Sequence, residues 1–223
     1  MPRIHWKGSA LLAPVPSVLV TCGTEEKANV LTVGWCGVIS TRPPRVYVSV
    51  RPERFSYGII KESREFVINL TPSSLFRAAD YCGTLTGRRV DKLREVGFSL
   101  IPSEKVSPPA IAECPLSLEC RVFDVIPSGS HDVFLADVLS VSLDDSLLDV
   151  SGRMHLERAG LLVFTHGEYF ETGRRLGKIG VSTESKKPPK LTQNTETNNK
   201  NRAKPQSDQK NNGITHTKRR NTK

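Results

Sequence analysis

The stretch 29–57, NVLTVGWCGVISTRPPRVYVSVRPERFSY, indicates the fold class of this 223-residue chain. Apolar residues dominate 29–39 and 45–50, and the sequence TRPP at 41–44 separates the two runs. Proline has no backbone N–H for a central ladder, so this pattern predicts two antiparallel strands joined by a turn.

The second of these strands runs directly into RPERFSY at 51–57. Arg51 and Arg54 offer paired charged donors and Ser56 offers a hydroxyl, a combination that suits a phosphate group. An exposed turn with an internal ion pair is the alternative interpretation of the same residues. The residues alone leave both interpretations open.

Strand patterns recur on both sides of this hairpin. The run 17–22 is rich in β-branched residues and precedes a polar turn at 23–27, so the first three strands are predicted to form an antiparallel meander. The remaining sequence shows no βαβ rhythm but predicts strands at 65–70, 116–126, 132–143 and 161–165 and short helices at 56–63, 73–82 and 90–96. About seven mostly antiparallel strands predict a mainly β fold, a closed or split barrel with a few short crossover helices.

The basic charge of the chain is concentrated in its last forty residues. Of 32 Lys+Arg and 23 Asp+Glu, 11 and 3 lie in 184–223, which leaves 21 basic and 20 acidic residues in 1–183. The segment 184–223 is rich in Asn, Lys, Thr and Gln and has no aromatic residue. It cannot bury enough apolar surface to offset its ordering entropy, so the sequence predicts a folded domain over 1–183 and a disordered basic tail over 184–223.

A basic tail also raises the alternative of a nucleic-acid-binding protein. The near-neutral body and the absence of aromatic residues among the tail's lysines argue against sequence-specific recognition. Nucleic acid is therefore not the expected partner, and binding through the tail alone would be weak and salt-dependent.

The sequence lacks the usual signatures of several other function classes. The five cysteines include no CxxC pair and no Cys/His cluster at zinc spacing, so we expect reduced thiols and no metal site. No apolar run approaches the roughly 20 residues of a membrane span and the first residues make a poor signal peptide, which predicts a soluble cytoplasmic protein. G-x-G-x-x-G after a strand, a complete P-loop, H-E-x-x-H and G-x-S-x-G are all missing from the sequence.

The first strand of the hairpin carries residues suited to a flat ring. Gly34 permits close approach of the backbone, and the indole of Trp35 offers a planar wall. A plain core aromatic is the alternative interpretation of Trp35.

Taken in order, the motifs of 14–180 resemble the flavin reductase family, and more particularly its flavoredoxin-like branch. The matching segments are LTVGWCG at 31–37, PP at 43–44, 47–57, 65–71, ADYCG at 79–83, GR at 87–88, VDK at 90–92, ECP at 113–115, GSHD at 129–132 and HGEYF at 166–170. The resemblance implies an FMN-binding split β-barrel that holds FMN without a covalent bond, commonly at a homodimer interface.

The resemblance also implies roles for individual residues. The cofactor-binding residues fall into three groups: Thr32, Val33, Gly34 and Trp35 at the isoalloxazine; Ser49, Val50 and Arg51 at its polar edge or the ribityl chain; and Arg54, Ser56, Tyr57 and Lys92 at the phosphate. His131 lies where relatives carry Gly-Asp-His near the nicotinamide, although Ser130 replaces the Asp of that motif. Tyr169 and His166 would cover the outer face of the flavin, and His131 and His166 are the catalytic candidates.

The implied activity is that of an NAD(P)H:flavin oxidoreductase. Hydride would pass from nicotinamide C4 to flavin N5, so the protein must mainly position two rings. An electron carrier that keeps FMN but is reduced by a protein partner is the alternative. The sequence does not distinguish NADH from NADPH or identify the electron acceptor.

Overall fold

The computed structural model of the protein describes residues 3–183, so the predicted tail at 184–223 lies outside the described residues. The chain divides into two units, Met1–Arg175 and Leu176–Lys223. In the second unit, residues 176–183 include a turn in which the Val181 N–H donates to the Lys178 carbonyl at 3.2 Å. None of the helices within 3–183 combines the length and apolarity needed to cross a membrane.

Strands dominate the first unit. Its described part contains β1 Val15–Pro16, β2 Val18–Cys22, β3 Asn29–Val33, β4 Cys36–Thr41, β5 Pro44–Val50, β6 Glu65–Leu70, β7 Leu100–Ile101, β8 Ala110–Ile111, β9 Leu116–Ser128, β10 His131–Leu143, β11 Leu162–Thr165 and β12 Glu168–Glu171. The α-helices are α1 Phe55–Ser63, α2 Phe76–Thr84 and α3 Lys92–Val96, and single 3₁₀ turns span Ser73–Leu75, Asp145–Leu147 and Leu156–Ala159.

Seven strands form one antiparallel sheet in the order β3-β2-β6-β9-β10-β5-β4. β3 and β4 follow each other in the chain, yet they lie at opposite ends of this order. Only Gly34 and Trp35 connect them, so the sheet must curl until its two edges meet. The Ser49 N–H of β5 donates to the Trp35 carbonyl at 2.8 Å and fixes this junction. The predicted mainly β barrel is confirmed.

The prediction of one continuous strand over 29–39 is wrong, because the chain breaks at Gly34-Trp35 into β3 and β4. β3 pairs with β2 at one edge of the sheet, and β4 pairs with β5 at the other edge. A straight strand cannot serve both edges, so the chain must turn between them. The sequence also missed β12, which pairs with β11 beside β1 in a small three-stranded sheet.

The two larger clusters of the core lie on opposite faces of β2, whose five residues are all buried. Inside the barrel, Val18 and Val20 pack with Val48 of β5 and Phe134 of β10. On the outer face, Leu19 packs beneath the helices with a second cluster that includes Val30, Cys82, Leu93 and Ile111. Because α2 and α3 cover this outer face, they lie next to β3 and complete the surroundings of its C-terminal end.

Candidate functional site

A cavity of about 480 Å³ opens where β3 and β5 end. The β3–β4 junction, the end of β5, α2 and the β11–β12 hairpin form its walls. Most of the predicted site residues line this cavity: Thr32, Val33, Gly34, Trp35, Ser49, Val50, Arg51, Arg54, His131 and Tyr169.

Strand register explains how residues from distant parts of the sequence converge here. β10 pairs antiparallel with β5, and Asp132 lies opposite Val50. This register places His131 beside Arg51 at the end of β5. The Thr32 hydroxyl donates to the Ala79 carbonyl at 2.5 Å, which docks α2 against β3.

A second cavity of about 270 Å³ adjoins the first and shares Leu31, Arg51 and Arg54 with it. Ser56 and Lys92, both predicted at the phosphate, line this second cavity. The two cavities therefore form one cleft with a ring-sized end and a cationic end.

The ammonium of Lys92 is the most constrained charge in the cleft, since the residue is only 3% exposed. Its Nζ donates to the Cys82 carbonyl at 3.0 Å, and no carboxylate of residues 3–183 forms an ion pair with it. Burial lowers the pKa of Lys92, and the positive charge of Arg54 acts in the same direction. An ammonium has three N–H donors, so this group retains donors and charge for an anion.

Ser56 lies in the first turn of α1 and is buried. Its Oγ accepts a hydrogen bond from Asn29 Nδ2 at 2.5 Å. A hydroxyl that accepts one bond still has its own proton to donate. An anion in the second cavity would compete for the Ser56 proton with the Cys22 thiol, which also forms a hydrogen bond with this side chain.

At the other end of the cleft, the rings of Trp35 and His131 are in contact, with centroids 4.3 Å apart and planes tilted by 47°. Ser130 Oγ lies 2.9 Å from His131 Nδ1. Burial and the positive charge of Arg51 lower the pKa of His131, which favours the neutral imidazole near neutral pH. Together the two side chains offer a largely uncharged aromatic surface to a flat ligand.

The β11–β12 hairpin covers the cavity from the opposite side with Phe164, Gly167 and Tyr169. The Phe164 and Tyr169 rings pack edge to face at 5.5 Å. The Tyr169 hydroxyl donates to Asp80 Oδ1 at 3.4 Å and links the hairpin to α2. Burial and the Asp80 carboxylate raise the pKa of Tyr169, so its hydroxyl stays protonated as a donor.

Two predicted site residues, Tyr57 and His166, lie outside the lining of both cavities. The Tyr57 hydroxyl donates to Asp132 Oδ2 at 2.6 Å, and its ring packs edge-on against Phe134 at 5.4 Å. This side chain braces β10 beside β5. His166 occupies the hairpin turn with φ 48°, and its neighbour Gly167 lines the cavity instead.

The sequence interpretation assigned no role to several lining residues, among them Leu31, Asp80, Gly83, Thr84, Thr86 and Phe164. Most belong to the segment ADYCGTLTG at 79–87, where α2 ends in hydroxyl and glycine residues. These hydroxyl and glycine residues are the sequence feature that could have identified the segment as part of the site. A Cβ at Gly83 would lie 3.2 Å from Thr32 Cβ, so the small residue lets this end of the helix approach β3.

The cleft as a whole suits a flat ring joined to an anionic group. The ring-sized end offers aromatic walls and the neutral hydroxyl of Ser49. The other end offers the three cations Arg51, Arg54 and Lys92, and among residues 3–183 Glu53 is the one carboxylate that lines it. Water is poorly able to compensate the buried ammonium there, so an anionic ligand would be held strongly.

Comparison with known proteins gives three similarities. Residues 11–173 match the family model described as "Flavin reductase like domain". An uncharacterised protein of Archaeoglobus fulgidus is 31% identical over 161 residues, 72% of this chain and 89% of the relative. An NADPH-flavin oxidoreductase of Streptomyces viridifaciens is 29% identical over 153 residues, 67% of this chain and 78% of the relative.

Among solved structures, the flavoredoxin of Desulfovibrio vulgaris (Miyazaki F) superimposes with a TM-score of 0.76 at 26% identity, covering 82% of this chain and all of that one. Together with the antiparallel sheet of this chain, the similarity confirms the predicted split-barrel architecture.

Proposed function

The chain belongs to the flavin reductase-like family, and from this premise we propose that it binds FMN non-covalently and transfers hydride from NADH or NADPH to flavin N5. The isoalloxazine would occupy the first cavity with one face against the β11–β12 hairpin, which leaves the face toward Trp35 and His131 open to the nicotinamide. The phosphate would occupy the second cavity. Relatives with flavin in their names, the Streptomyces viridifaciens oxidoreductase and the flavoredoxin, support this assignment.

The observation that carries the proposal is the buried ammonium of Lys92 in the second cavity. A desolvated cation without a carboxylate partner is unfavourable in a free protein. Phosphate would supply the missing negative charge, and the ring attached to it would extend into the adjoining cavity. The two cavities therefore fit FMN. The larger one suits the ring, and the adjoining cationic one suits the phosphate.

In this proposal the protein mainly positions two rings. Bound FMN would supply the hydride-accepting centre. The neutral His131 and the Trp35 indole would form a surface that orients the nicotinamide, and the hairpin with Tyr169 would exclude water. The Ser49 hydroxyl and the Arg51 guanidinium, both in the lining of the first cavity, would stabilise negative charge that develops on the ring's polar edge.

We expect the purified protein to show the visible absorption of a flavin, or to acquire it on adding FMN. Anaerobic NADPH or NADH should then bleach this absorption, and air should restore it. Bleaching by neither nucleotide, together with fast reduction by a reduced ferredoxin, would instead establish the electron carrier that the flavoredoxin similarity favours. A colourless protein that fails to bind added FMN would contradict both functions.

We also propose that the protein forms a homodimer. Several large apolar side chains of β4, β9 and β10 are exposed: Val38, at 72% exposure, with Ile39, Phe123, Ile126 and Val141. Exposed apolar residues on neighbouring strands of one sheet are a feature that a subunit interface would cover. Light scattering coupled to size-exclusion chromatography should give twice the 24.7 kDa chain mass, and a monomeric mass would contradict the proposal.

The predicted division into a domain over 1–183 and a basic tail over 184–223 is part of the same proposal, as is a cytoplasmic location. All five cysteines are free, and Cys22, Cys82, Cys114 and Cys120 are buried. Free buried thiols are compatible with a reducing compartment. A protein truncated after residue 183 should keep the flavin turnover of the full chain, whereas loss of turnover would contradict the division.

A further inference from the structure

A third cavity, of about 860 Å³, begins where the cationic end of the cleft stops. Phe55 and Gly87 line both the second and the third cavity, so one surface leads from one to the other. Three cationic side chains border the third cavity: Lys27, Arg88 and Arg89. The function proposed above uses none of them.

These three cations are exposed and available to a ligand. Within residues 3–183, none of them forms an ion pair or a side-chain hydrogen bond. Of the two acidic residues that line the cavity, Asp91 already caps α3 by accepting from the Arg94 N–H at 3.1 Å. Glu62 is the other. The balance of charge in the cavity therefore favours an anion.

Phe55 adds an apolar ring at the boundary between the two cavities, with about one third of its surface (36%) exposed. Gly87 packs so closely that an added Cβ would lie 2.7 Å from Phe55 Cδ1 and would also meet the Asn29 side chain. The loop backbone at 87 thus holds the Phe55 ring in place. A fixed, partly exposed aromatic ring beside guanidinium groups is a suitable platform for stacking a nucleobase.

We propose that the third cavity binds the adenylate half of FAD, so that the protein prefers FAD to FMN. The inference rests on the proposed function, because it takes the flavin ring and its phosphate to occupy the first two cavities. The second phosphate would then lie near Arg88, Arg89 and Lys27, and the adenine would stack on Phe55. FMN would fill only the first two cavities.

The order of the cavities favours FAD over a nicotinamide dinucleotide. In FAD the adenylate is bonded to the same phosphate that the second cavity receives, so ring, phosphate and adenylate follow one path. A nicotinamide dinucleotide that reached the third cavity from the ring would place its own pyrophosphate in the second cavity. There it would compete with the flavin phosphate for Arg54 and Lys92.

The test is a set of fluorescence titrations of the full-length apoprotein with FMN, FAD and riboflavin. The unmodified protein should bind FAD about tenfold more tightly than FMN, as expected for one well-placed charge-assisted contact together with stacking. The double variant Arg88→Ala/Arg89→Ala should lose this advantage while its FMN affinity stays unchanged. Arg42→Ala/Arg153→Ala is the charge-matched control, because both arginines are exposed and neither lines any of the three cavities.

The outcomes separate the two proposals. A protein that binds FMN normally but FAD no more tightly overturns only the adenylate site, as does an equal loss of both affinities in Arg88→Ala/Arg89→Ala. If that variant instead raises the Michaelis constant for NADPH and leaves FAD affinity unchanged, the cavity serves the nicotinamide nucleotide and the FAD assignment is wrong. Binding of neither flavin overturns the proposed function and this inference with it.

Discussion

Lys92→Met is expected to weaken FMN binding about 100-fold or more while leaving riboflavin binding unchanged. Removing one partner of a buried, hydrogen-bonded charge pair costs about 2–5 kcal/mol, because the other charge is left desolvated and unpaired. Riboflavin has the ring and the ribityl chain but no phosphate, so its affinity reports the rest of the cleft. Titration of the apoprotein by flavin fluorescence gives both constants.

The same substitution should not destabilise the protein without flavin. Lys92 is 3% exposed and has no carboxylate partner among residues 3–183, so an apolar side chain of similar length removes a desolvation cost. Lys61→Met is a suitable control, since this exposed lysine of α1 lines neither cavity of the cleft. Equal weakening of FMN and riboflavin by Lys92→Met would mean that Lys92 shapes the cleft rather than binds the phosphate.

The depressed pKa of Lys92 adds a signature in the pH dependence of stability. Burial lowers this pKa in the folded protein from its ordinary value of 10.5. Between the folded and the ordinary value, the unfolded chain binds more protons than the folded one. The free energy of unfolding of the apoprotein therefore rises with pH through that window, and Lys92→Met should remove this rise. Urea unfolding at a series of alkaline pH values measures it.

Asn69→Asp is expected to destabilise the protein by about 3–5 kcal/mol, the range found when a buried charge is left without a partner. Asn69 is fully buried in β6. Its Nδ2 donates to the Leu19 carbonyl at 3.0 Å and to Thr21 Oγ1 at 3.3 Å. Its Oδ1 accepts from the Ile111 N–H at 2.9 Å and from Ser117 Oγ at 2.8 Å.

Aspartate has nearly the same shape as asparagine, but it replaces the amide NH2, a hydrogen-bond donor, with a carboxylate oxygen, an acceptor. A carboxylate oxygen would face the Leu19 carbonyl and could not donate to it, so two acceptors would oppose each other in the core. For a chain of this size, each kcal/mol shifts the melting temperature by about 2–4 °C, so a fall of about 10 °C is expected. Burial disfavours the charged carboxyl, so the loss should be smaller at acidic pH.

Ser117→Ala provides the matched control for this prediction. It removes one donor to Asn69 Oδ1 but leaves the Ile111 N–H in place. The expected loss is about 1 kcal/mol, the net contribution of a typical hydrogen bond. Denaturant unfolding of the three proteins gives the comparison. A near-native midpoint for Asn69→Asp would show that this network does not hold β2, β6, β8 and β9 together.

Local patterns were sufficient to predict much of the fold. The short helix α3 begins after Asp91, whose side chain accepts from the Arg94 N–H, and ends before Gly97, which adopts φ 79° as a C-terminal glycine. The long strands β9 and β10 start and end within a few residues of their predicted bounds. In each case the signal depends on a few neighbouring residues, so it survives without tertiary information.

Local sequence patterns do not predict the break at Gly34-Trp35 or the hairpin strand β12. The run 29–39 is mostly apolar, and its pattern does not indicate that its two halves pair on opposite edges of the sheet. β12 pairs with β11, and β11 also pairs with β1. In that second pair Val15 lies opposite Phe164, although the two residues are far apart in the sequence. Closure of the barrel decides both features.

The sequence by itself determined most of the long strands and which side chains could bind a ring or a phosphate. The tertiary structure decided that Tyr57 braces β10 instead of lining the cleft, and that Lys92 is deprived of water. It also decided that the cationic end of the cleft continues past Phe55 into a third cavity. The physical reason is that periodicity and residue chemistry are local, whereas desolvation and convergence arise only when the closed sheet brings its distant strand ends to one place.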